Sequence, residues 1–296
     1  MAVSRRRFVQ VDVFAEEAYL GNPVAVVLDG DGISDEGMAQ FARWTNLSET
    51  TFVLPSVVAD YRLRIFTPGG EIPFAGHPTL GSAHAWLEES GRPHSDVLVQ
   101  ECGLGSVTVR RTGTGLSFAA PALRRDGPLT PDHLDRIVRA LRIRPEQVVA
   151  HGWVDNGPGW AAVQLASADE VLAVDPDEQQ MRGLMLGIVG AYPAGSPLQF
   201  EVRAFAAPAG VREDPVTGSL NAGIAQWLIG TGTAPRSYQA GQGARVGRRG
   251  VLTVNADGNA VWVGGRSTTC GMSFYPCRTQ IRGYYRRVGW RRWPAA

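Results

Sequence analysis

The chain contains no lysine: all 29 of its Lys+Arg residues are arginine. A lysine Schiff base is therefore excluded, and with it pyridoxal-phosphate and class I aldolase chemistry. A Walker A loop, which needs its phosphate-binding lysine, is excluded as well. There is no complete GxGxxG, no HExxH and no GxSxG, and the short Gly-x-Gly pieces at 103–105, 113–115 and 230–232 read as turns. The three cysteines, Cys102, Cys270 and Cys277, are odd in number and form no CxxC pair. They argue against a disulfide framework or a zinc knuckle and read as buried or half-buried thiols. No apolar run approaches the ~20 residues that cross a bilayer. Arg5, Arg6 and Arg7 are followed by Asp12 and Glu16 where a signal peptide would carry its apolar stretch, so the expected location is the cytoplasm. A net charge of +1 gives no overall bias towards nucleic acid or an acidic membrane. What remains is chemistry done by side chains alone, with no cofactor and no metal.

What is present suggests two domains, since 296 residues exceed one typical domain, and 44% hydrophobic residues support a substantial core. Alternation predicts strands at 8–14, 24–28, 51–54, 61–67, 97–101, 105–111 and 115–119. Helices are predicted at 35–43 and at 78–90, the latter stopped by Gly91-Arg92-Pro93. Residues 120–128, with two prolines, a glycine and three charges, read as the domain boundary, giving halves at 1–120 and 121–279. Thr130 as N-cap and Pro131 at the first position open the next helix. Strands are expected near 148–153, 160–166, 199–206, 251–255 and 260–264, with a helix over 219–230.

The chain also repeats itself. PFAGHPTLGSAHAWLEESG at 73–91 matches PVTGSLNAGIAQWLIGTG at 215–232, with Pro73 on Pro215, Gly76 on Gly218, Gly81 on Gly223 and Ala83 on Ala225. Self-similarity near half the chain length points to duplication, against coincidence between two Gly/Ala-rich helices. Both helices are almost wholly apolar, as helices enclosed by sheet are. The expected fold is α+β: two pseudo-symmetric domains, each a mostly antiparallel barrel-like sheet around a central helix, with a cleft between them.

Six residues are candidates for a site. Gly76 and Gly218 lie in the turns feeding the two helices. Free N–H groups and the helix dipole there favour an anion, although both glycines also fit plain tight turns. His77 and Ser219 follow them; His77 is either a proton carrier or a capping residue. Glu49 sits among Leu47, Thr50, Thr51 and Phe52, where desolvation would raise its pKa as a general base requires; the competing reading is an exposed turn. Asp214 precedes Pro215, which also suits a turn opener. His84 reads as packing or surface, and His94, His133 and His151 receive no role. The Arg/aromatic segment from Arg278 to Trp293 reads as a final strand near Gln280–Tyr285 and an exposed or docking end at Trp290–Ala296, with the tail 280–296 expected to pack back on the first half. It is not read as a nucleic-acid site.

These pieces, in this order, resemble the PhzF-like (phenazine biosynthesis) family of the diaminopimelate epimerase superfamily. The matching segments are Val11-Asp12-Val13-Phe14, Gly21-Asn22-Pro23-Val24-Ala25-Val26, Asn46–Phe52, Arg64–Thr79 and Arg212–Gly223. The resemblance implies two sheet-and-helix halves, a homodimer and no cofactor. It makes Glu49 the catalytic carboxylate, brings in His77, Asp214 and Ser219, and gives Gly76 and Gly218 backbone contacts to substrate. Epimerases of the wider superfamily use a cysteine at each helix start, where this chain has His77 and Ser219. The expected activity is therefore an isomerase shifting a proton and double bond on a small carboxylated cyclic metabolite, in natural-product biosynthesis. The alternatives are a racemase, epimerase or dehydratase acting on an amino or imino acid, and a catalytically silent binding protein.

Overall fold

Alternating residues in the first strand put Val9, Val11 and Val13 on one buried face, and Val24 and Val26 of the next strand join them. This pattern sets the computed structural model, which describes residues 4–89 and 96–277. In chain order the first part holds β1 (Ser4–Val13), β2 (Asn22–Val27), α1 (Asp35–Thr45), β3 (Glu49–Leu54), β4 (Tyr61–Thr67) and β5 (Gly70–Ile72). It continues with α2 (Gly76–Glu89), β6 (Val97–Cys102), β7 (Gly105–Thr112) and β8 (Gly115–Ala119). After α3 (Pro131–Leu141) come β9 (Ala150–Trp153), β10 (Ala161–Gln164), α4 (Ala168–Ala173), β11 (Met185–Ala191), β12 (Phe200–Ala206) and β13 (Val211–Asp214). Then follow α5 (Gly218–Gly230), β14 (Ser237–Gln242), β15 (Gly250–Asp257), β16 (Ala260–Gly265) and β17 (Ser267–Cys277). The architecture is sheet-rich, with few helices.

The strand pairings of β1–β8 recur in β9–β16. In the first set, β1–β2 is antiparallel, β2–β3 parallel, β3–β4 and β4–β5 antiparallel, β4–β6 parallel, and β6–β7 and β7–β8 antiparallel. The same sequence of senses runs through β9–β10, β10–β11, β11–β12, β12–β13, β12–β14, β14–β15 and β15–β16. Helices α1 and α4 occupy matching places, as do α2 and α5. β8 pairs with β16 and so joins the two sets, and β17 returns to lie antiparallel along β1.

Local signals explain the helix ends. Ser34 accepts from the Gly37 N–H at the start of α1, which ends at Asn46 in the left-handed region (φ 54). Thr130 accepts from the His133 N–H, and α3 buries Ile137, Ala140 and Leu141 in a core shared with β10 and β11. α2 is buried from Gly76 to Ala83, and α5 likewise over Leu220–Ala225, because sheet surrounds both.

The structure departs from the sequence reading in several places. α2 begins at Gly76, two residues earlier than predicted; Pro78 is tolerated in a first turn, where its missing N–H would have no partner. Glu49 opens β3 instead of preceding it. β5, α4, β11, β13, β14 and β17 were not predicted. The helix stop at Gly91-Arg92-Pro93, His94 and the tail 280–296 with its expected strand lie outside the described residues. Among the described residues, no helix is long and apolar enough to cross a membrane.

Candidate active site

The starts of α2 and α5 meet. A methyl group added at Gly76 would lie 2.7 Å from the Phe118 ring and 3.1 Å from the Gly218 Cα, and one at Gly218 would lie 3.1 Å from the Gly76 Cα. Neither glycine has a positive φ. Their requirement is proximity: only residues without Cβ let the two backbones come this close. The first-turn N–H groups of both helices are thus brought together beside a cavity of about 380 Å³. Ala75, Thr217 and Ser219 form the wall next to the helix starts, while Phe74, Trp160, Pro208 and Val211 supply apolar wall.

Glu49 and Asp214 both face this cavity. Glu49 keeps 16% of its side chain exposed, but its Oε2 is enclosed. His77 Nε2 lies 3.4 Å from that oxygen, and neither atom has another polar partner among the described residues. Burial first, and the Asp214 carboxylate second, hold the Glu49 carboxyl well above its ordinary range. Burial also raises Asp214, but hydrogen bonds from Thr217 and Asn22 oppose it. Burial pushes His77 down to about 3, so it is neutral at physiological pH.

A shell of polar side chains fixes these groups. Asn22, fully buried, directs Nδ2 to Asp214 Oδ1 (3.1 Å) and to the Val216 carbonyl (2.9 Å), with His77 Nδ1 at 3.4 Å. The Thr217 hydroxyl donates to Asp214 Oδ2 at 2.5 Å. Gln242 donates to Thr217 Oγ1 and the Asp214 carbonyl, and accepts from the Thr217 N–H and Asn221. Ser219 Oγ accepts from Trp160 Nε1 at 3.0 Å, and the Ser219 carbonyl accepts from Asn156. β13 is tied to β12 by the buried pair Arg203–Glu213, whose guanidinium also donates to the Val171 and Val174 carbonyls.

The structure thus gathers all six residues singled out from sequence: Glu49, Asp214 and Ser219 on the cavity wall, His77 against Glu49, and Gly76 and Gly218 in mutual contact behind it. Sequence reasoning missed Asn22, Thr217, Gln242, Trp160, Asn156 and the cavity-lining Arg124. Asn22 lay in a quoted motif but read as loop. Gln242 gave no local signal beyond a polar residue in an otherwise half-apolar segment. Among the described residues, no three of His, Cys, Asp and Glu gather as a metal would need.

The repeated pairings show which positions correspond. Ile72 pairs with Ile65 and Ile65 with Thr51; Asp214 pairs with Ala204 and Ala204 with Gly187. Ile72 therefore matches Asp214, Thr51 matches Gly187, and Glu49 matches Met185. Met185 and Ile72 also line the cavity. Each carboxyl thus has an apolar residue at the corresponding place of the other set.

An enclosed carboxyl thus faces a cavity at which two helix starts meet. The fold is shared with a hydroxyproline epimerase from Agrobacterium vitis (TM-score 0.52, 14% identity, covering 91% of this chain and 92% of that one). More similar is a PhzF-family phenazine biosynthesis protein from Enterococcus faecalis (TM-score 0.78, 24% identity, 92% and 99% covered). The chain belongs to the phenazine biosynthesis-like (PhzC-PhzF) family, whose model matches residues 11–272. Among curated relatives, Antisense-enhancing sequence 1 of Schizosaccharomyces pombe is 36% identical over 92% of this chain and its own full length. The trans-2,3-dihydro-3-hydroxyanthranilate isomerase of Pseudomonas aeruginosa is 35% identical over 85% of this chain and 91% of its own.

Proposed function

We propose that the protein moves a proton, and a double bond with it, along a small cyclic carboxylate, with Glu49 removing and returning the proton. The observation that carries this reading is the enclosed Glu49 carboxyl, backed by His77 and facing the cavity at the joined helix starts. A carboxyl held above its usual range is a stronger base when ionised and remains able to act as an acid near neutral pH. The N–H groups at Gly76, His77, Gly218 and Ser219 suit a substrate carboxylate and the charge that develops during proton removal. Arg124 offers a second, cationic contact at the cavity wall. His77, Asp214 and Ser219 orient the substrate or relay the proton.

The unequal pairs Glu49/Met185 and Asp214/Ile72 favour proton transfer on one side of the substrate over a racemase with matched groups on both faces. We read the recurring pairings as two pseudo-symmetric halves, 1–120 and 121–279, with β17 completing the first. A homodimer in the cytoplasm serving natural-product biosynthesis completes the proposal.

The Pseudomonas relative's substrate, a ring bearing a carboxylate, is the first to try, within a panel of ring carboxylates. Incubation in deuterium oxide, followed by proton NMR, should show a relocated double bond. Deuterium incorporation without such relocation would mean racemisation, and binding with no conversion would mean a silent binder; either result overturns the proposal.

A further inference from the structure

The turn from β9 to β10 grips one residue of α5 at two points. Asp155 closes this turn: its Oδ1 accepts from the Gly157 and Gly159 N–H groups, both at 2.7 Å, and the two glycines take positive φ values of 148° and 93°. The Val154 N–H donates to the Trp160 carbonyl at 3.0 Å. α5 packs directly against the turn, since a Cβ on Gly223 would strike the Val154 carbonyl. From this turn Asn156 Nδ2 donates to the Ser219 carbonyl at 2.8 Å, and Trp160 Nε1 donates to the Ser219 hydroxyl at 3.0 Å. Trp160 is buried, so packing as well as the turn holds its indole in place.

A count of donors and acceptors assigns the serine hydrogen. An indole N–H can only donate, so Ser219 Oγ is the acceptor in that bond. The hydroxyl keeps its own hydrogen, and among the described residues no protein group accepts it. Ser219 lines the cavity, so this hydrogen is available to a ligand there, beside the free N–H groups of the first helical turn. The indole also closes any proton path through the serine. It cannot accept, so a proton passed to Ser219 finds no onward carrier among the described residues.

We propose that Trp160 is a positioning residue that makes Ser219 a donor: by occupying Oγ with the indole N–H, it commits the serine hydroxyl to an oxygen of the substrate carboxylate and takes Ser219 out of the proton relay. Without the indole, the hydroxyl turns freely and its oxygen loses its partner, so ligand binding must then order it. Asn156 acts at the other end of the same residue, holding the Ser219 carbonyl and with it the helix start. The proposal rests on the ring-carboxylate reading of the cavity, but its test needs no turnover.

The full chain, labelled with nitrogen-15 in tryptophan, is read by proton–nitrogen NMR, the Trp160 indole signal being the one absent from Trp160→Phe. Ser219→Ala should move the Trp160 indole proton upfield; an unmoved signal overturns the proposal. Titration with benzoate should move the same proton of the parent downfield, because a hydroxyl that donates to an anion accepts more strongly. An upfield move would mean that the ligand competes with the indole for Oγ, and overturns the proposal. The benzoate dissociation constant should rise about tenfold in Ser219→Ala and about fivefold in Trp160→Phe. Trp160→Phe added to Ser219→Ala should weaken binding no further, because the indole acts through the serine. Equal losses from Trp160→Phe in both backgrounds would show that the ring only shapes the cavity, and would refute the assignment. Benzoate binding that neither variant changes refutes it too, while leaving the proposed function standing. A parent that binds no benzoate overturns the ring-carboxylate reading, and this assignment with it.

Discussion

Replacing Glu49 with glutamine separates its chemical role from its structural cost. Glutamine preserves shape and buries no charge, but it can neither take nor return a proton. Acid–base transfer commonly contributes about 10²–10⁴ in rate. Because the proposed function has Glu49 serve both the removal and the return, the upper figure is expected, equal to about 5.4 kcal/mol of barrier. Ligand binding should survive. Stability should change in the opposite direction, and only above a definite pH. The folded-state pKa of Glu49 lies above its ordinary 4.5. Below about 4.5 the carboxyl is protonated whether folded or unfolded, and the native protein incurs no charge-burial cost. Between that value and the raised folded-state value, the unfolded chain gives up a proton that the native state keeps, so the parent loses about 1.4 kcal/mol per pH unit while Glu49→Gln does not. With an unfolding entropy near 2.1 cal/mol/K per residue over 296 residues, that is roughly 2 °C in Tm per pH unit. Thermal melts of both proteins from about pH 4 to pH 9 should give curves that diverge with that slope and then run parallel. Asp214 is present in both, and because the two carboxyls interact, the difference reads position 49 together with its coupling to Asp214. Retained turnover, or a Tm difference independent of pH, would refute the reasoning.

Gly76→Ala should force the α2 and α5 starts apart, since the added methyl meets Phe118 at 2.7 Å and the Gly218 backbone at 3.1 Å. Urea unfolding should show a loss of about 1–3 kcal/mol, and affinity for a ring carboxylate should weaken with it. Arg203→Met leaves Glu213, 9% exposed, without its cation. It should cost about 3–5 kcal/mol by urea unfolding, and the double variant Arg203→Met with Glu213→Leu should recover most of that loss. A double variant as unstable as the single one would show that the pair does more than neutralise charge.

What sequence alone made readable followed from local physics. Alternation in Phe8–Phe14 and Tyr61–Thr67, the Thr130-Pro131 helix start and the Gly-containing turns before two apolar helices all act over a few residues. The turns also led to Gly76, His77, Gly218 and Ser219. Elements fixed by distant packing were not readable. Met185–Ala191 carries Gly187 and Gly190, which look like breaks; in the fold a Cβ on Gly187 would strike Leu220 of α5, and one on Gly190 would strike the Ser167 carbonyl. Ser267–Cys277, with Gly271 and Pro276, becomes a strand because β1, more than 250 residues earlier in the chain, supplies its partner. Missing β11 also hid the match of Glu49 with Met185. Asn22, Thr217 and Gln242 were invisible as a unit because their hydrogen bonds join β2, the start of α5 and β14.

The apolar partners of the two carboxyls have a consequence for how such an enzyme can diversify. Met185 and Ile72 shape the chamber but carry no proton, so replacing them with side chains of other size re-tailors the space while leaving Glu49, His77 and Asp214 as they are. Under the proposed function, substrate range and chemical step would thus rest on different residues, and proteins sharing the proposed proton-transfer set would be free to serve unlike molecules.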